Sequence, residues 1–241
     1  MSSHDEIDIR KNVDHIQQQI EETCYQVGRD PDEIQLIVVT KEKSAVVIKN
    51  LVDAGISKIG ESYVQEASFK MELLSDLDIE WHMVGHIQSG KVNYVAGHFS
   101  YVHSLDRLAL ASDLNKAAKE WNRVLPVLLE CNVSGEESKF GWRAWNENNW
   151  QEVAKEMEPV LEMEHLDVQG LMTMAPYHED PEHSRPYFKR LARLRGFLAE
   201  QLSTSTLQEL SMGMSADFRV AIEEGATMVR IGSAIVGARS Q

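Results

Sequence analysis

The sequence predicts an α/β protein, a (β/α)8 barrel of the TIM type with an additional N-terminal helix. Three observations lead to this expectation. Eight short, apolar, β-branched segments recur along the chain, and each is followed by helical periodicity or helix-start residues. The length of 241 residues is typical of eight strand–helix units. The hydrophobic fraction of 43% suffices for one large core, so residues 1–241 are expected to form a single domain.

The elements follow in order from the N-terminus. Residues 1–30 are expected to form a helical segment packed on the barrel, since apolar residues recur at roughly helical spacing at Ile7, Val13, Ile16, Ile20 and Val27. The eight predicted strands are 34–40, 57–61, 80–85, 100–104, 125–133, 166–174, 208–214 and 228–232. Helix starts are predicted at Ser62, Asp106 and Asp180–Pro181. A doubly wound open sheet is the alternative, because alternation alone does not establish closure.

The composition excludes several classes of partner. The formal net charge is −14, from 38 acidic residues against 24 Lys plus Arg, so the surface repels nucleic acids and anionic lipids. The N-terminus lacks the apolar core of a signal peptide, and no apolar run approaches a membrane span. Cys24 and Cys131 fit no metal or disulfide pattern. We therefore expect a cytoplasmic protein that binds neither nucleic acid nor membranes.

The segment LIVVTKEKS, residues 36–44, ends a predicted buried strand close to Lys41. Active sites of such barrels form at the C-terminal ends of the strands. A lysine there either extends its ammonium group to solvent or acts as a nucleophile. Burial disfavours the ammonium form and lowers the lysine pKa, so that the amine could form a Schiff base with an aldehyde.

Two segments near the C-terminus indicate an oxyanion site. In SMGMS, Ser211 supplies a hydroxyl and Gly213 permits close approach of the backbone. In RIGS, Gly232 and Ser233 lie where the last strand gives way to a helix predicted to begin at Ala234. A single Gly-Ser turn is a weak signal, but barrels often bind phosphate with the loops after strands seven and eight. The paired location favours a phosphate site.

An amine and a phosphate site at one rim suggest pyridoxal 5′-phosphate, which carries both an aldehyde and a phosphate. Arg230, next to the RIGS glycine, is a permanent cation that either contacts the ligand or pairs with a barrel carboxylate. A lysine-dependent aldolase without a cofactor is an alternative, in which the phosphate site would hold substrate.

Seven ordered motifs then resemble one known family. They are VVTKEKS, GESYVQE, WHMVGHIQSGK, HSLDR, CNVSGEESKFG, GLMTM and LSMGMSADFRVAIEEGATMVRIGSAIVGAR. Together they look like the successive motifs of the pyridoxal phosphate homeostasis proteins, from about residue 34 to residue 239. The resemblance implies a barrel like the N-terminal domain of alanine racemase, with pyridoxal phosphate bound as a lysine aldimine.

The resemblance implies a set of cofactor-binding residues, which are Lys41, Ser62, Ser211, Met212, Gly213, Arg230, Gly232 and Ser233. Lys41 would be the Schiff-base lysine. Ser211, Gly232 and Ser233 would hold the phosphate. Arg230 would face the pyridine nitrogen and leave it unprotonated, which weakens the ring as an electron sink.

The chain departs from the usual family pattern at three positions. Ser62 stands where the family commonly has Asn, and His86 and Gly90 stand where Pro and Asn are usual. Ser62 is the most consequential departure, because its shorter side chain changes the hydrogen bonds available near the cofactor.

The resemblance implies a non-catalytic protein, a monomer or weak dimer, that holds pyridoxal phosphate and hands it over, with apo-enzymes as the expected recipients. The alternative is a racemase-like enzyme that uses the same cofactor. Racemases of this fold add a C-terminal β-domain that supplies a tyrosine acid/base, and the sequence here ends at Gln241. Tyr63 and His86 are the best local candidates for a second base.

Other polar clusters are interpreted as structural. HEDPEH, residues 178–183, is expected to cap a helix through Asp180 rather than to bind metal. His82 is expected to be a hydrogen-bonded barrel histidine. Lys139 either points into the site or extends to solvent.

Overall fold

The computed structural model describes residues 8–204 and 206–238. Within them, all eight predicted strands are present, together with a two-residue strand that the sequence did not predict. The strands are β1 Gln35–Val39, β2 Lys58–Glu61, β3 Glu80–Met83, β4 Tyr101–Leu105, β5 Leu125–Asn132, β6 Trp142–Arg143, β7 Leu166–Met172, β8 Glu209–Ser211 and β9 Met228–Ile231.

The eight longer strands close into a parallel barrel. Their spatial order is β4-β3-β2-β1-β9-β8-β7-β5, and β4 also pairs with β5, which completes the ring. The first and last strands are neighbours, with Ile37 opposite Arg230. The short β6 pairs with the end of β5, where Cys131 lies opposite Trp142. The predicted TIM barrel is confirmed, and the open-sheet alternative is wrong.

Helices cover the outside of the barrel, as parallel connections require. They are α1 Ile9–Gln26, α2 Ala45–Asp53, α3 Val64–Leu73, α4 Val92–His98, α5 Leu108–Glu120, α6 Trp150–Leu161, α7 Arg185–Gln201, α8 Phe218–Glu223 and α9 Ser233–Val236. Within the described residues, none of them has both the length and the apolar character needed to cross a bilayer.

The additional helix α1 begins after Asp8, whose side chain accepts a hydrogen bond from the backbone N–H of Lys11. Its apolar stripe, including Val13, Ile16 and Ile20, is buried in the main core, and the helix packs against α8 and α9. Ile7 lies outside the described residues, and Val27 is exposed just beyond the end of the helix.

Two predicted helix starts are each displaced by one residue. Helix α3 begins at Val64 rather than directly after Ser62, and α5 begins at Leu108 rather than after Asp106, with no side-chain cap in either case. Asp106 is instead engaged by the side chains of His86 and Arg107, so its carboxylate is not available for capping.

The Asp180–Pro181 start is confirmed in part. Asp180 accepts a hydrogen bond from the N–H of Glu182 and opens a 3-10 turn, Pro181–Ser184, which leads into α7. Near the C-terminus, α9 begins at Ser233, one residue before the predicted position.

The inside of the barrel holds a second, smaller apolar cluster that is separate from the main core. Five strands contribute to it, through Ile37, Tyr101, Leu128, Met172 and Met228. Polar residues at the same alternating positions, such as His103 two residues after Tyr101, extend inward as well, since strand side chains repeat with a period of two. The barrel interior is therefore filled with side chains, and its C-terminal rim is where a ligand can enter.

Candidate functional site

Lys41 lies in the loop directly after β1, at the C-terminal rim. The preceding Thr40 is buried, and the N–H of Lys43 donates to the carbonyl of Thr40 at 3.0 Å, which closes a turn around Lys41. Glu42, the next residue, has a φ of 62°, in the left-handed region that a residue with a Cβ rarely adopts. Lys41 is partly exposed and lines a cavity at the mouth of the barrel.

A buried lysine fixes the near side of that turn. The Nζ of Lys70 donates to the carbonyl of Thr40 at 2.8 Å, to Oε1 of Glu61 at 2.7 Å and to Oε1 of Glu66 at 2.5 Å. The hydroxyl of Thr40 also donates to Oε1 of Glu61, at 2.6 Å. Burial raises the pKa of Glu61, and the bonds from Lys70 and Thr40 oppose that increase.

The far side of the turn is held by the Glu66 carboxylate, which also accepts from Lys70. The backbone N–H of Glu42 donates to Oε1 of Glu66 at 2.6 Å. Thus the residues before and after Lys41 are bound to one network, buried at Lys70 and Glu61 and partly exposed at Glu66, which stabilises the strained conformation of Glu42 and fixes the backbone from which Lys41 projects.

Arg230, on β9, forms the floor of the cavity. Its guanidinium is buried and donates to the hydroxyl of Ser211 at 2.6 Å and to the carbonyl of Thr173 at 2.9 Å. Burial lowers the pKa of Arg230 to about 10, while Glu130 and Asp217 act in the opposite direction. The side chain therefore remains cationic at neutral pH.

A buried carboxyl group lies near this arginine. Burial raises the pKa of Glu130 to about 7, with a further increase from Asp106, while Arg230 and Lys139 lower it. Lys139 itself donates to the carbonyls of Met174 and Ala175, at 3.0 and 3.2 Å, and so ties the loop after β5 to the segment after β7.

The opposite side of the cavity is built from the loops after β8 and β9. Gly213 has a φ of 92°, and a Cβ there would lie 2.6 Å from the Cβ of Ala221, so the turn requires glycine. Two residues later, the hydroxyl of Ser215 accepts the backbone N–H groups of Gly232 and Ala234, both at 3.3 Å. Ser215 thus joins the two loops.

Asp217 fixes the first of these loops. It accepts a hydrogen bond from the N–H of Met214 at 2.7 Å and another from the hydroxyl of Ser184 at 2.8 Å. Because both carboxylate oxygens accept a hydrogen bond, Asp217 gives the loop a defined geometry, while its negative charge still acts on Arg230.

The cavity has a volume of about 320 Å³. Five of the predicted site residues line it, which are Lys41, Ser62, Arg230, Gly232 and Ser233. Ser211, Met212 and Gly213 do not line it: all three are buried behind its wall. The SMGMS segment therefore contributes its last two residues, Met214 and Ser215, to the cavity wall.

Sequence reasoning missed several cavity residues, which include Lys43, Met174, Tyr177, His178, Met214, Ser215 and Asp217. Ser215 could have been found, because it is the second serine of SMGMS and follows the glycine that forces the turn. Tyr177 and His178 give no such signal, since they lie in an irregular loop after β7.

The departures from the family pattern occupy different environments. Ser62 lies at the cavity and packs closely against Gly85, where a Cβ would come within 2.4 Å of the Ser62 carbonyl oxygen. His86 is exposed, stacks on Phe140 at 4.0 Å and contacts Asp106 at 3.0 Å. Neither His86 nor Gly90 lines the cavity.

No cluster of three or more His, Cys, Asp or Glu residues with the arrangement of a metal site occurs in the described part of the chain. The residues of HEDPEH form the helix-capping turn described above, with His178 and His183 stacked at 3.6 Å.

The chain is similar to known proteins over almost its whole length. The family model described as the N-terminal domain of alanine racemase matches residues 8–240. A pyridoxal phosphate homeostasis protein of Aquifex aeolicus is 42% identical over 230 residues, which cover 95% of this chain and 97% of that protein. The Escherichia coli protein of the same name is 36% identical over 236 residues, with 96% and 97% covered.

Solved structures show the same relationship. PipY of Synechococcus elongatus, solved with pyridoxal phosphate bound, superposes with a TM-score of 0.78 at 32% identity, covering 90% of this chain and 100% of that one. An alanine racemase of Clostridium difficile gives a TM-score of 0.71 at 16% identity, with 57% of its chain covered, and this likeness concerns the fold alone. In agreement with the seven motifs, the chain belongs to the family of pyridoxal phosphate homeostasis proteins.

Proposed function

We propose that this protein binds pyridoxal 5′-phosphate covalently through Lys41 and holds it for transfer, without catalysing a reaction of its own. The observation that carries the proposal is the convergence of Lys41, Arg230 and the Gly232–Ser233 turn on one cavity. The names of the relatives, and the cofactor bound to PipY, also support pyridoxal phosphate as the ligand.

The cavity suits this ligand in size and charge. Its volume of about 320 Å³ falls within the range of roughly 300–1,000 Å³ that small-molecule sites occupy. Lys41, Lys43 and Arg230 supply positive charge for a phosphorylated ligand, although the protein as a whole is strongly acidic. Once bound, the cofactor supplies an aldehyde that a lysine amine can capture with loss of water.

The phosphate would be held by the loops after β8 and β9, through Gly232, Ser233 and Ser215. Gly232 lets the backbone come close to the ligand, and Ser233 begins α9. Ser215 replaces Ser211 in this proposal, because Ser211 is buried beneath Arg230. Met212 and Gly213 would act indirectly, by setting the path of the loop.

Arg230 would face the pyridine nitrogen from the cavity floor. With a pKa of about 10, it remains a cation at neutral pH and donates hydrogen bonds without transferring a proton. A ring whose nitrogen stays unprotonated is a weaker electron sink for a carbanion than a protonated ring.

The covalent link is tested by adding pyridoxal phosphate to the purified protein, reducing with borohydride and locating the modified residue by mass spectrometry. We expect a yellow protein, with the reduced adduct on Lys41. Lys41→Ala should lose the adduct, whereas Lys43→Ala, which alters another lysine at the same cavity, should keep it. A wild-type protein that takes up no pyridoxal phosphate, or an adduct confined to other lysines, rejects the proposal.

The non-catalytic character is tested separately. A racemase needs a second acid/base held within hydrogen-bond reach of the reacting carbon. Tyr177 and His178 line the cavity but are exposed, and the candidates from the sequence, Tyr63 and His86, do not line it. We expect the loaded protein to exchange no α-hydrogen of any amino acid in deuterated water, as measured by mass spectrometry. Robust exchange with one amino acid would favour the racemase-like alternative.

We further propose that the chain acts as a single-domain monomer or weak dimer in the cytoplasm and passes the cofactor to apo-enzymes. Cys24 and Cys131 are both buried free thiols, as a reducing compartment allows. Transfer is measured by mixing the loaded protein with a pyridoxal-phosphate-dependent apo-enzyme and following the recovery of its activity. A recovery no faster than that given by dissociated cofactor would contradict direct transfer.

A further inference from the structure

A chain of polar contacts runs through the barrel interior from the cavity floor toward the opposite end. Arg230 donates to the hydroxyl of Ser211 at 2.6 Å, and that hydroxyl lies 2.8 Å from Nδ1 of His103. Nε2 of His103 lies 2.9 Å from Nδ1 of His82. Nε2 of His82 in turn lies 3.1 Å from Oε1 of Glu80, at hydrogen-bonding distance but without ideal alignment.

The two ends of this chain fix its direction. A guanidinium only donates hydrogen bonds, and a carboxylate only accepts them. Nε2 of His82 faces the Glu80 carboxylate and therefore carries a proton, so a neutral His82 accepts at Nδ1 from Nε2–H of His103. A neutral His103 in turn accepts at Nδ1 from the hydroxyl of Ser211, which itself accepts from Arg230. Every donor in the chain points away from the cavity.

The surroundings of the two histidines support this assignment. Both are fully buried, and burial lowers the pKa of each, with Glu80 opposing the decrease at His82. The groups that act electrostatically on them are Glu80 and Lys58 at His82, and His82 followed by Arg230 at His103. Tyr101 packs against both rings, at 5.3 and 5.0 Å, and donates its hydroxyl to Gln169 rather than to the chain.

We infer that His103 and His82 are positioning residues for Arg230, which they hold through Ser211 by a one-directional hydrogen-bond chain of neutral imidazoles. Because the Ser211 hydrogen is used on His103, its oxygen is presented to Arg230, which fixes the orientation of the guanidinium. The consequence for ligand binding rests on the proposed function, in which Arg230 faces the cofactor ring. The hydrogen-bond chain itself is present in the protein without ligand.

The first test therefore uses the protein without cofactor. Ring-nitrogen NMR on 15N-histidine-labelled protein distinguishes the two neutral tautomers and the imidazolium. We expect His82 and His103, assigned by the loss of signals in H82Q and H103Q, to be neutral with the proton on Nε2 from pH 5.5 to 8. A proton on Nδ1 of His103, or a charged form of either ring in this range, would overturn the inference.

The second test measures the effect on the ligand site. His103→Leu leaves the Ser211 hydroxyl without its acceptor, so we expect pyridoxal phosphate to bind about tenfold more weakly and its absorption maximum to shift. Tyr101→Phe is the matched control, because it alters the same interior without breaking the chain, and should leave both unchanged. Glu80→Gln, at the half-exposed end, should give a smaller change in the same direction.

The outcomes separate the inference from the proposed function. If wild-type protein binds the cofactor and His103→Leu matches it in affinity and spectrum while remaining folded by circular dichroism, positioning by the histidines is refuted. If His103→Leu does not fold, Glu80→Gln decides the matter by the same two readouts. A wild-type protein that binds no cofactor rejects the proposed function. The NMR result still decides whether the hydrogen-bond chain through His103 and His82 exists.

Discussion

The two sides of the cavity are built in different ways. The turn that carries Lys41 is fixed by charged side chains, with Lys70, Glu61 and Glu66 bound to the residues on either side of it. The loops opposite are shaped by backbone, with a left-handed glycine at 213 and a serine hydroxyl that joins two backbone N–H groups. The lysine side should therefore be sensitive to the loss of a charge, and the opposite side to the addition of a Cβ.

The largest effect is expected for Lys70→Met. Removing this cation leaves the buried Glu61 carboxylate uncompensated, so the free energy of unfolding should fall by about 3–5 kcal/mol. Urea denaturation measures the change. Lys49→Met, at an exposed position on α2, is the control and should stay within about 0.5 kcal/mol of wild type. A Lys70→Met protein as stable as the control would show that the network does not hold the turn.

The next effect concerns Glu130, beneath the cavity floor. Its pKa is raised from 4.5 to about 7, so the folded state keeps a proton that the unfolded chain has already lost. The contribution of this group to stability should therefore be complete below about pH 4.5 and fall by roughly 3 kcal/mol as the pH rises from 4.5 to 7. In Glu130→Gln this pH dependence disappears, so the variant should match wild type near pH 4 and exceed it near pH 8.

The measurement is a series of urea midpoints at several pH values. Glu137→Gln, an exposed acid of the loop after β5, serves as the control and should follow the wild-type curve. If Glu130→Gln follows that curve as well, the pKa of Glu130 in the folded protein is close to its usual value of 4.5 and the prediction is wrong.

A smaller effect is expected on the backbone-built side. In Gly213→Ala the new Cβ would crowd Ala221 and Phe218 at a positive φ, so the free energy of unfolding should fall by roughly 2 kcal/mol. Gly196→Ala is the opposite case, because Gly196 lies within α7 with open space around it. Its free energy of unfolding should rise by about 0.5–1 kcal/mol. Equal effects at both glycines would argue against the steric account of this loop.

The smallest effect is expected for Ser215→Ala. It removes two long hydrogen bonds to Gly232 and Ala234, so binding of pyridoxal phosphate should weaken about fivefold with little loss of stability. Fluorescence titration measures the affinity. Ser68→Ala, which is not at the cavity, should bind as wild type does. An unchanged affinity in Ser215→Ala would remove this serine from the phosphate site.

Much of the fold could be predicted from the sequence because parallel strands buried on both faces produce long apolar runs, and all eight were found. The helix start at Asp106 failed because a capping residue type does not reveal that its side chain is engaged elsewhere, here by His86 and Arg107. At Ser62 the observed cap position falls one residue later, at Tyr63. The strand β6 is too short for any periodicity to appear. These errors lie in the loops, where local pattern carries the least information.

For the site, position at a strand end placed Lys41 and Arg230 at the cavity, but the sequence could not separate Ser211 from Ser215. Both serines stand near the same glycine, and only the path of the chain shows that one is buried beneath Arg230 while the other reaches the cavity. The hydrogen-bond chain through His103 and His82 was equally hidden, because its members come from four different strands.

The pairing of β1 with β9 has a consequence for folding. Lys41 follows the first strand and Arg230 lies on the last, and these strands become neighbours only when the ring closes. Contacts between residues so distant in sequence form slowly, because nearly the whole chain must be ordered before they contribute. A growing polypeptide on the ribosome therefore cannot assemble the two halves of the cavity until its last strand has emerged, and ligand uptake should report on completed synthesis.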